Sequence, residues 1–301
     1  MTRSAGLLAR CGRRTGRPSH VEHQLQAPSP KGHDRDVTGN EEYLLDNQQV
    51  EAGQRFDALS ELFNPSTFRH AQAVGLEAGW RVWEVGAGSP SVPAWFAEQV
   101  GAGGHVLATD IDTSWLDSGD TGFEVLRHDV GAEPPPSGFF DLVHARLVLV
   151  HVPQRARALV AMVAALKPGG WILLEEADPA LQPLVCPDEA GAEQELANKV
   201  KRGFRTLLEA RGVDLAYGRT LPRLLRNAGL IAVQSDASFP MGGPACSELE
   251  RATVEQVRDA LIDAGIATDA EIELHLLNVA SGRLDLATSP MVSAWGRKPT
   301  V

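Results

Sequence analysis

The stretch Arg81 to Pro93, R-V-W-E-V-G-A-G-S-P-S-V-P, restricts the folds open to this chain more than any other. An apolar run, Val82 to Val85, enters a Gly86-Ala87-Gly88 turn, and a segment with helix-start character follows, with Ser89 and Ser91 as cap candidates. Glycines permit positive φ and let a ligand lie against bare main chain, while the first N–H groups of the next helix point into the same space. Pro90 and Pro93 are compatible with that helix because its first turn has N–H groups to spare. The segment reads as strand, nucleotide-binding loop and helix.

Downstream, His105 to Thr109 predicts a second strand that stops at Asp110, where a carboxylate can accept both hydroxyls of a ribose lying across the strand tips. Asp112 reads as solvated or helix-capping. Phe123 to Leu126 predicts a third strand before Arg127-His128-Asp129, with Asp129 either bonding an adenine amino group or serving as a turn acid. Phe139 to Val143 has the continuous apolar character of a strand buried on both faces, and it is followed by His144, Ala145 and Arg146 and then by His151. A helix over Gln154 to Leu166 ends at Lys167-Pro168-Gly169-Gly170, and Trp171 to Leu174 makes a fifth strand ahead of Glu175-Glu176. Strands alternating with helices imply a parallel sheet with right-handed crossovers and a crevice at its carboxyl edge. Each polar residue named above falls at such an edge.

The flanks are helical. Tyr43 to Gly75 predicts two helices broken at Asn64-Pro65, with Gln54 and Arg55 beside Phe56 on a face that either reaches a ligand or is solvated. The last third predicts helices at Glu193 to Ala210, Leu221 to Ala228, Ser247 to Ala264 and Asp269 to Val279, with strands at Ile231 to Ser235 and Pro290 to Gly296. The organisation expected is a disordered tail over 1–38, a helical cap over 39–78, a Rossmann-like core over 79–180, and substrate-cap helices with the last two strands over 181–301.

Charge and cysteine usage narrow the partners. The net charge is −11, and residues 1–38 hold seven of the basic residues against three acids, leaving 21 basic and 36 acidic residues in the body. That balance argues against a nucleic-acid surface. Cys11, Cys186 and Cys246 are too few and too far apart for a disulfide framework or a metal ligand set, so no metal is expected. No apolar run approaches the roughly 18–20 residues that span a bilayer, so a cytoplasmic chain without membrane association is expected. Oligomeric state is not readable.

The motifs E-V-G-A-G (Glu84 to Gly88), A-T-D-I-D (Ala108 to Asp112), R-H-D-V (Arg127 to Val130), F-D-L-V-H-A-R (Phe140 to Arg146) and L-K-P-G-G-W (Leu166 to Trp171) resemble, in order and spacing, the class I S-adenosylmethionine-dependent methyltransferases. The branch is similar to the ubiquinone and menaquinone-biosynthesis enzymes and to actinobacterial tailoring methyltransferases. The resemblance implies a doubly wound, mostly parallel seven-stranded sheet with an antiparallel last strand, and S-adenosylmethionine as cofactor. Carried over by position, it implies that Glu84, Gly86, Ala87 and Gly88 meet the methionine part. Asp110 with Ile111 then holds the ribose, His128, Asp129 and Val130 the adenine, and Ala145 and Arg146 the side nearest the sulfonium. This chain has Pro90 where a third glycine is common in the family.

The expected chemistry is methyl transfer to O, N or C of a small-molecule acceptor, with His144, His151 and either Glu175 or Glu176 as candidate bases should the acceptor have to lose a proton, His151 and Glu176 being preferred. Consecutive glutamates on a strand face opposite ways, so at most one of Glu175 and Glu176 is expected to reach the crevice, and His144 is expected to lie within the sheet layer. A nicotinamide dinucleotide enzyme is disfavoured because Glu84 would stand beside a diphosphate. The other alternative is a methyltransferase-fold protein without methylation activity, acting as a binding or regulatory partner.

Overall fold

Four of the five strands up to Ala177 are largely buried on both faces, which requires helices on both sides of the sheet, whereas Glu124–Arg127 at its edge is mostly exposed and no helix separates it from the next strand. The computed structural model describes residues 44–45, 50–116 and 122–300; the expected tail, 1–38, lies outside them. Among the described residues one seven-stranded sheet runs in the order β3-β2-β1-β4-β5-β7-β6. The strands are β1 (Arg81–Val85), β2 (His105–Asp110), β3 (Glu124–Arg127), β4 (Phe140–Arg146), β5 (Leu166–Ala177), β6 (Ile231–Ser238) and β7 (Met291–Arg297). Strands β1 to β5 pair in parallel, and β7 is antiparallel to both β5 and β6. This is the doubly wound Rossmann-like sheet with a reversed last strand. Because β1 lies between β2 and β4, the chain leaves its carboxyl end at the point where the strand order reverses, which is where such sheets open a crevice.

Side chains alternate across the sheet. Val82, Leu142 and Leu173 share one core layer with Val92 and Phe96 of α2 (Ser91–Val100) and Ala71 of α1 (Val50–Ala73). Trp83, Val85 and Val143 face the opposite layer with Leu159 and Met162 of α3 (Arg155–Ala165) and Leu225 of α5 (Leu221–Asn227). A further cluster joins Val200 of α4 (Ala192–Ala210), Val254 of α6 (Pro244–Gln256), Leu261 of α7 (Arg258–Asp263) and Ile272 of α8 (Asp269–Ala280) above the crevice.

Three local expectations change. Tyr43 to Gly75 does not divide at Pro65: α1 is one helix through it. Pro65 removes a donor to the carbonyl of Glu61, and both residues are exposed, so water can satisfy the freed oxygen. The predicted helix Ser247 to Ala264 is instead two, α6 and α7, meeting at Val257. At α2 the serines do not cap. Pro90 occupies the N-cap with no side-chain hydrogen bond, and the Ser91 hydroxyl instead lies 2.8 Å from that of Ser60 in α1.

Candidate active site

The glycine turn after β1 takes the shape its sequence anticipates. Gly86 and Gly88 have φ of 63° and 61°. A Cβ at Gly86 would collide with Val148, and one at Gly88 would come within 3.1 Å of Phe56 of α1. The turn is tied to the end of β2 by Asp110, whose Oδ2 accepts from the Gly88 N–H at 2.9 Å while Oδ1 accepts from the Asp112 N–H at 3.0 Å. Burial raises the Asp110 carboxyl above the usual range although these amides oppose the shift.

The turn opens onto a cavity of about 780 Å³, within the range of small-molecule and cofactor sites. Of the residues singled out in the sequence, Gly86, Ala87, Gly88, Asp110, Ile111, His128, Asp129, Val130, Arg146 and His151 line it. Asp129 Oδ1 accepts from the Gly131 N–H at 2.8 Å, so it shapes its own turn as well as facing the cavity. His128 is fixed by Nε2, which donates to the Pro134 carbonyl at 2.9 Å, and its imidazole sits edge-on to Trp83. Arg146 donates through Nη1 to Asn64 at 2.9 Å and Thr67 at 3.2 Å, both on α1. His151 ends a short 3-10 turn, Leu149–His151; burial, reinforced by the nearby Arg55 guanidinium, lowers its pKa to about 4, leaving a neutral imidazole at neutral pH.

Glu84, Ala145 and Glu176 do not line the cavity. Ala145 is packed in the core. Glu84 is 2% exposed and turns toward His144, whose Nδ1 lies 2.5 Å from its Oε2. The other ring nitrogen of His144 is 3.3 Å from Glu175 Oε2. Glu175 also accepts from Ser293 of β7 at 2.6 Å and from Thr67 of α1, and His70 of α1 stands 3.4 Å away. Burial alone would depress the His144 pKa, but the two carboxylates outweigh it and raise it to about 9. Burial would likewise raise Glu175, yet its hydrogen bond to His144 and the nearby His70 hold it well below the usual range. His144 thus donates from both nitrogens to two acids beneath the glycine turn.

Glu176 faces the other way, its Oε1 accepting from the N–H groups of Val148, Leu149 and Val150. It closes the start of the turn that carries His151, where Leu147 adopts a positive φ of 59°. Burial raises the Glu176 pKa to about 8, with those amides opposing.

Much of the cavity wall was not marked by sequence motifs. Phe56, Leu59 and Phe63 come from one face of α1, Lys201, Phe204 and Leu208 from α4, and Leu249, Glu250 and Thr253 from α6. Their three- and four-residue spacings are the legible signal, but the spacing says only that a face is covered, not by what.

Fold and site together define a nucleotide-binding α/β protein of the class I methyltransferase architecture. A family model for the methyltransferase domain matches residues 47–235, and the chain belongs to that family. The ubiquinone/menaquinone biosynthesis C-methyltransferase UbiE of Vibrio parahaemolyticus is 36% identical over 145 residues, spanning 43% of this chain and 56% of that protein. The UbiE of Bordetella parapertussis is 32% identical over 199 residues, spanning 60% of this chain and 76% of its own length. The chain therefore spans little more than half the length of the Vibrio relatives. Among solved structures, Haemonchus contortus phosphoethanolamine N-methyltransferase 2, in complex with S-adenosyl-L-methionine, superposes with a TM-score of 0.52 at 16% identity, covering 88% of this chain and 61% of that one. YcgJ of Bacillus subtilis gives 0.51 at 14%, covering 78% and 99%. At those identities the likeness is one of fold. No helix among the described residues is long and apolar enough to cross a membrane.

Proposed function

We propose that this chain transfers the methyl group of S-adenosylmethionine to O, N or C of a small-molecule acceptor by in-line displacement. The observation that carries the reading is that the glycine turn and Asp110 open onto the same cavity as the apolar faces of α1, α4 and α6, so nucleoside and acceptor share one enclosed space. The residues fit the cofactor. Asp110 retains lone pairs on both oxygens after accepting from Gly88 and Asp112, enough for two ribose hydroxyls. On this reading His128 to Val130 meet the adenine, and Arg146, Leu147 and Val148 line the same cavity. Bound S-adenosylmethionine supplies a methyl group already activated by its sulfonium.

The chain's own task is to align the acceptor and exclude water, which contributes roughly 7 to 11 kcal/mol at best. Phe56 and Val148, closing on Gly88 and Gly86, exclude water. His151 lines the cavity as a neutral imidazole and is the base where a proton must leave, a weak one while burial and Arg55 hold its pKa near 4. Glu176 serves by holding the turn under His151, and Glu84 by holding His144 beneath the glycine loop. Buried free thiols at Cys186 and Cys246 accord with a cytoplasmic setting.

Calorimetric titration with S-adenosylmethionine, S-adenosylhomocysteine and NAD tests the reading. Binding of both sulfur nucleosides in the micromolar range, and none of NAD, is expected. NAD binding without either sulfur nucleoside would overturn it.

A further inference from the structure

The apolar cap wall of the cavity is interrupted at one place by two charges. On α4, Lys201, Phe204 and Leu208 follow one another at helical spacing along the cavity, and on α6 Leu249, Glu250 and Thr253 do the same. The Lys201 and Glu250 side chains are 13% and 6% exposed. Removing two such charges from water is unfavourable, and a buried pair of this kind is commonly no more stabilising than apolar residues of the same volume. Fold stability alone does not account for placing them on a wall of Phe and Leu.

Their geometry is that of an open clamp. Lys201 Nζ stands 4.0 Å from Glu250 Oε2, beyond hydrogen-bonding reach and within the span that one bridging oxygen fills. Glu250 is fixed from behind: its Oε1 lies 3.1 Å from Nε2 of His275, a residue of α8 with no exposed surface. Burial would raise the Glu250 carboxyl, but His275 and Lys201 outweigh it and keep it ionised. Among the described residues no other carboxylate pairs with Lys201.

We propose that Lys201 and Glu250 together bind a hydroxyl group of the methyl acceptor, which is therefore an apolar molecule carrying a free hydroxyl. A hydroxyl accepts from the ammonium and donates to the carboxylate through one oxygen, which the 4.0 Å gap admits, whereas an amide needs two atoms to do both. An ammonium is repelled by Lys201, a carboxylate by Glu250, and an ether or a hydrocarbon leaves Glu250 Oε2 without a donor. Phe204, whose ring centre lies 5.4 Å from Lys201 Nζ, gives the apolar body a surface beside the clamp. The inference rests on the reading of this cavity as the acceptor site.

The test is titration of the full chain, saturated with S-adenosylhomocysteine, with 2-naphthol, 2-methoxynaphthalene, 2-(aminomethyl)naphthalene, whose amine is cationic at neutral pH, and naphthalene. 2-Naphthol is expected to bind at least about tenfold more tightly than the other three, the difference that hydrogen bonds to charged groups supply. Lys201→Met and Glu250→Gln should each abolish that preference while leaving the affinity for S-adenosylhomocysteine unchanged. Equal affinity across the series, absence of 2-naphthol binding, or a preference that survives both substitutions overturns the proposal. Failure of wild-type protein to bind S-adenosylhomocysteine defeats the methyltransferase reading instead, and the same series without the nucleoside still reads the clamp.

Discussion

His144 and Glu84 are register partners on adjacent strands, β4 and β1, and His144 Nδ1 lies 2.5 Å from Glu84 Oε2 in a layer that neither side chain leaves. With Glu175 on its other nitrogen, His144 is an imidazolium between two acids. Its pKa of about 9 in the fold stands above the ordinary 6.5. The stability it contributes is thus fully present below pH 6.5 and lost as pH rises through 9. His144→Gln should destabilise the protein by about 3–5 kcal/mol at pH 6, by stranding buried carboxylates. Urea unfolding at pH 6 and pH 10 should show that difference shrinking at the higher pH.

Glu176 gives the opposite test of the same principle. Its pKa in the fold, about 8, lies above the ordinary 4.5, so the native state holds a proton that the unfolded chain has lost. Its contribution to stability falls as pH rises from 4.5 to 8. Glu176→Gln keeps an acceptor for the amides of Val148 to Val150. The variant should gain on wild type in melting temperature across that window and still bind S-adenosylhomocysteine. A variant that melts in parallel with wild type from pH 5 to 8 would remove the buried-acid assignment.

Asp110→Ala should weaken S-adenosylmethionine binding by about 1.5–3 kcal/mol, the range for hydrogen bonds to a charged group. Part of that loss comes through Gly88, whose N–H loses its acceptor. Calorimetry on variant protein with an unchanged circular dichroism spectrum makes the comparison. An unchanged dissociation constant would take the ribose away from Asp110.

Gly86→Ala introduces two separable penalties. The positive φ costs about 1–2 kcal/mol for any residue with a Cβ, and the new methyl meets Val148. The double variant Gly86→Ala with Val148→Ala should recover the steric part only. Chemical denaturation of the two should differ, with the double variant still below Val148→Ala alone by the backbone term.

The glycine turn, the parallel strands and Asp110 were legible because each is set by local chemistry: positive φ, continuous apolar runs, an acid at a strand tip. The orientation of Glu84 was not. Its partner lies 60 residues on, and only the register of β1 against β4 brings the two side chains onto one face. Glu176 was picked out as a base because it stands at a strand end, yet its Oε1 follows amides freed by Leu147, a left-handed residue that nothing in L-V-L-V announces. Pro65 marked a break that tertiary packing of α1 overrode. The clamp residues Lys201 and Glu250 sit in ordinary amphipathic helices, so only the meeting of α4 and α6 distinguishes them from solvated charges.

Glu175 draws its partners from three distant parts of the chain: Thr67 and His70 in α1, His144 in β4 and Ser293 in β7. Strand β7 is the last of the sheet to be synthesised, so a nascent chain still lacking it holds a core carboxylate with one face of its acceptors unfilled. Docking of that strand therefore supplies Glu175 with the Ser293 hydroxyl, its one donor from the far side of the sheet, while Thr67 and His70 of the cavity-walling helix reach the same carboxylate without it.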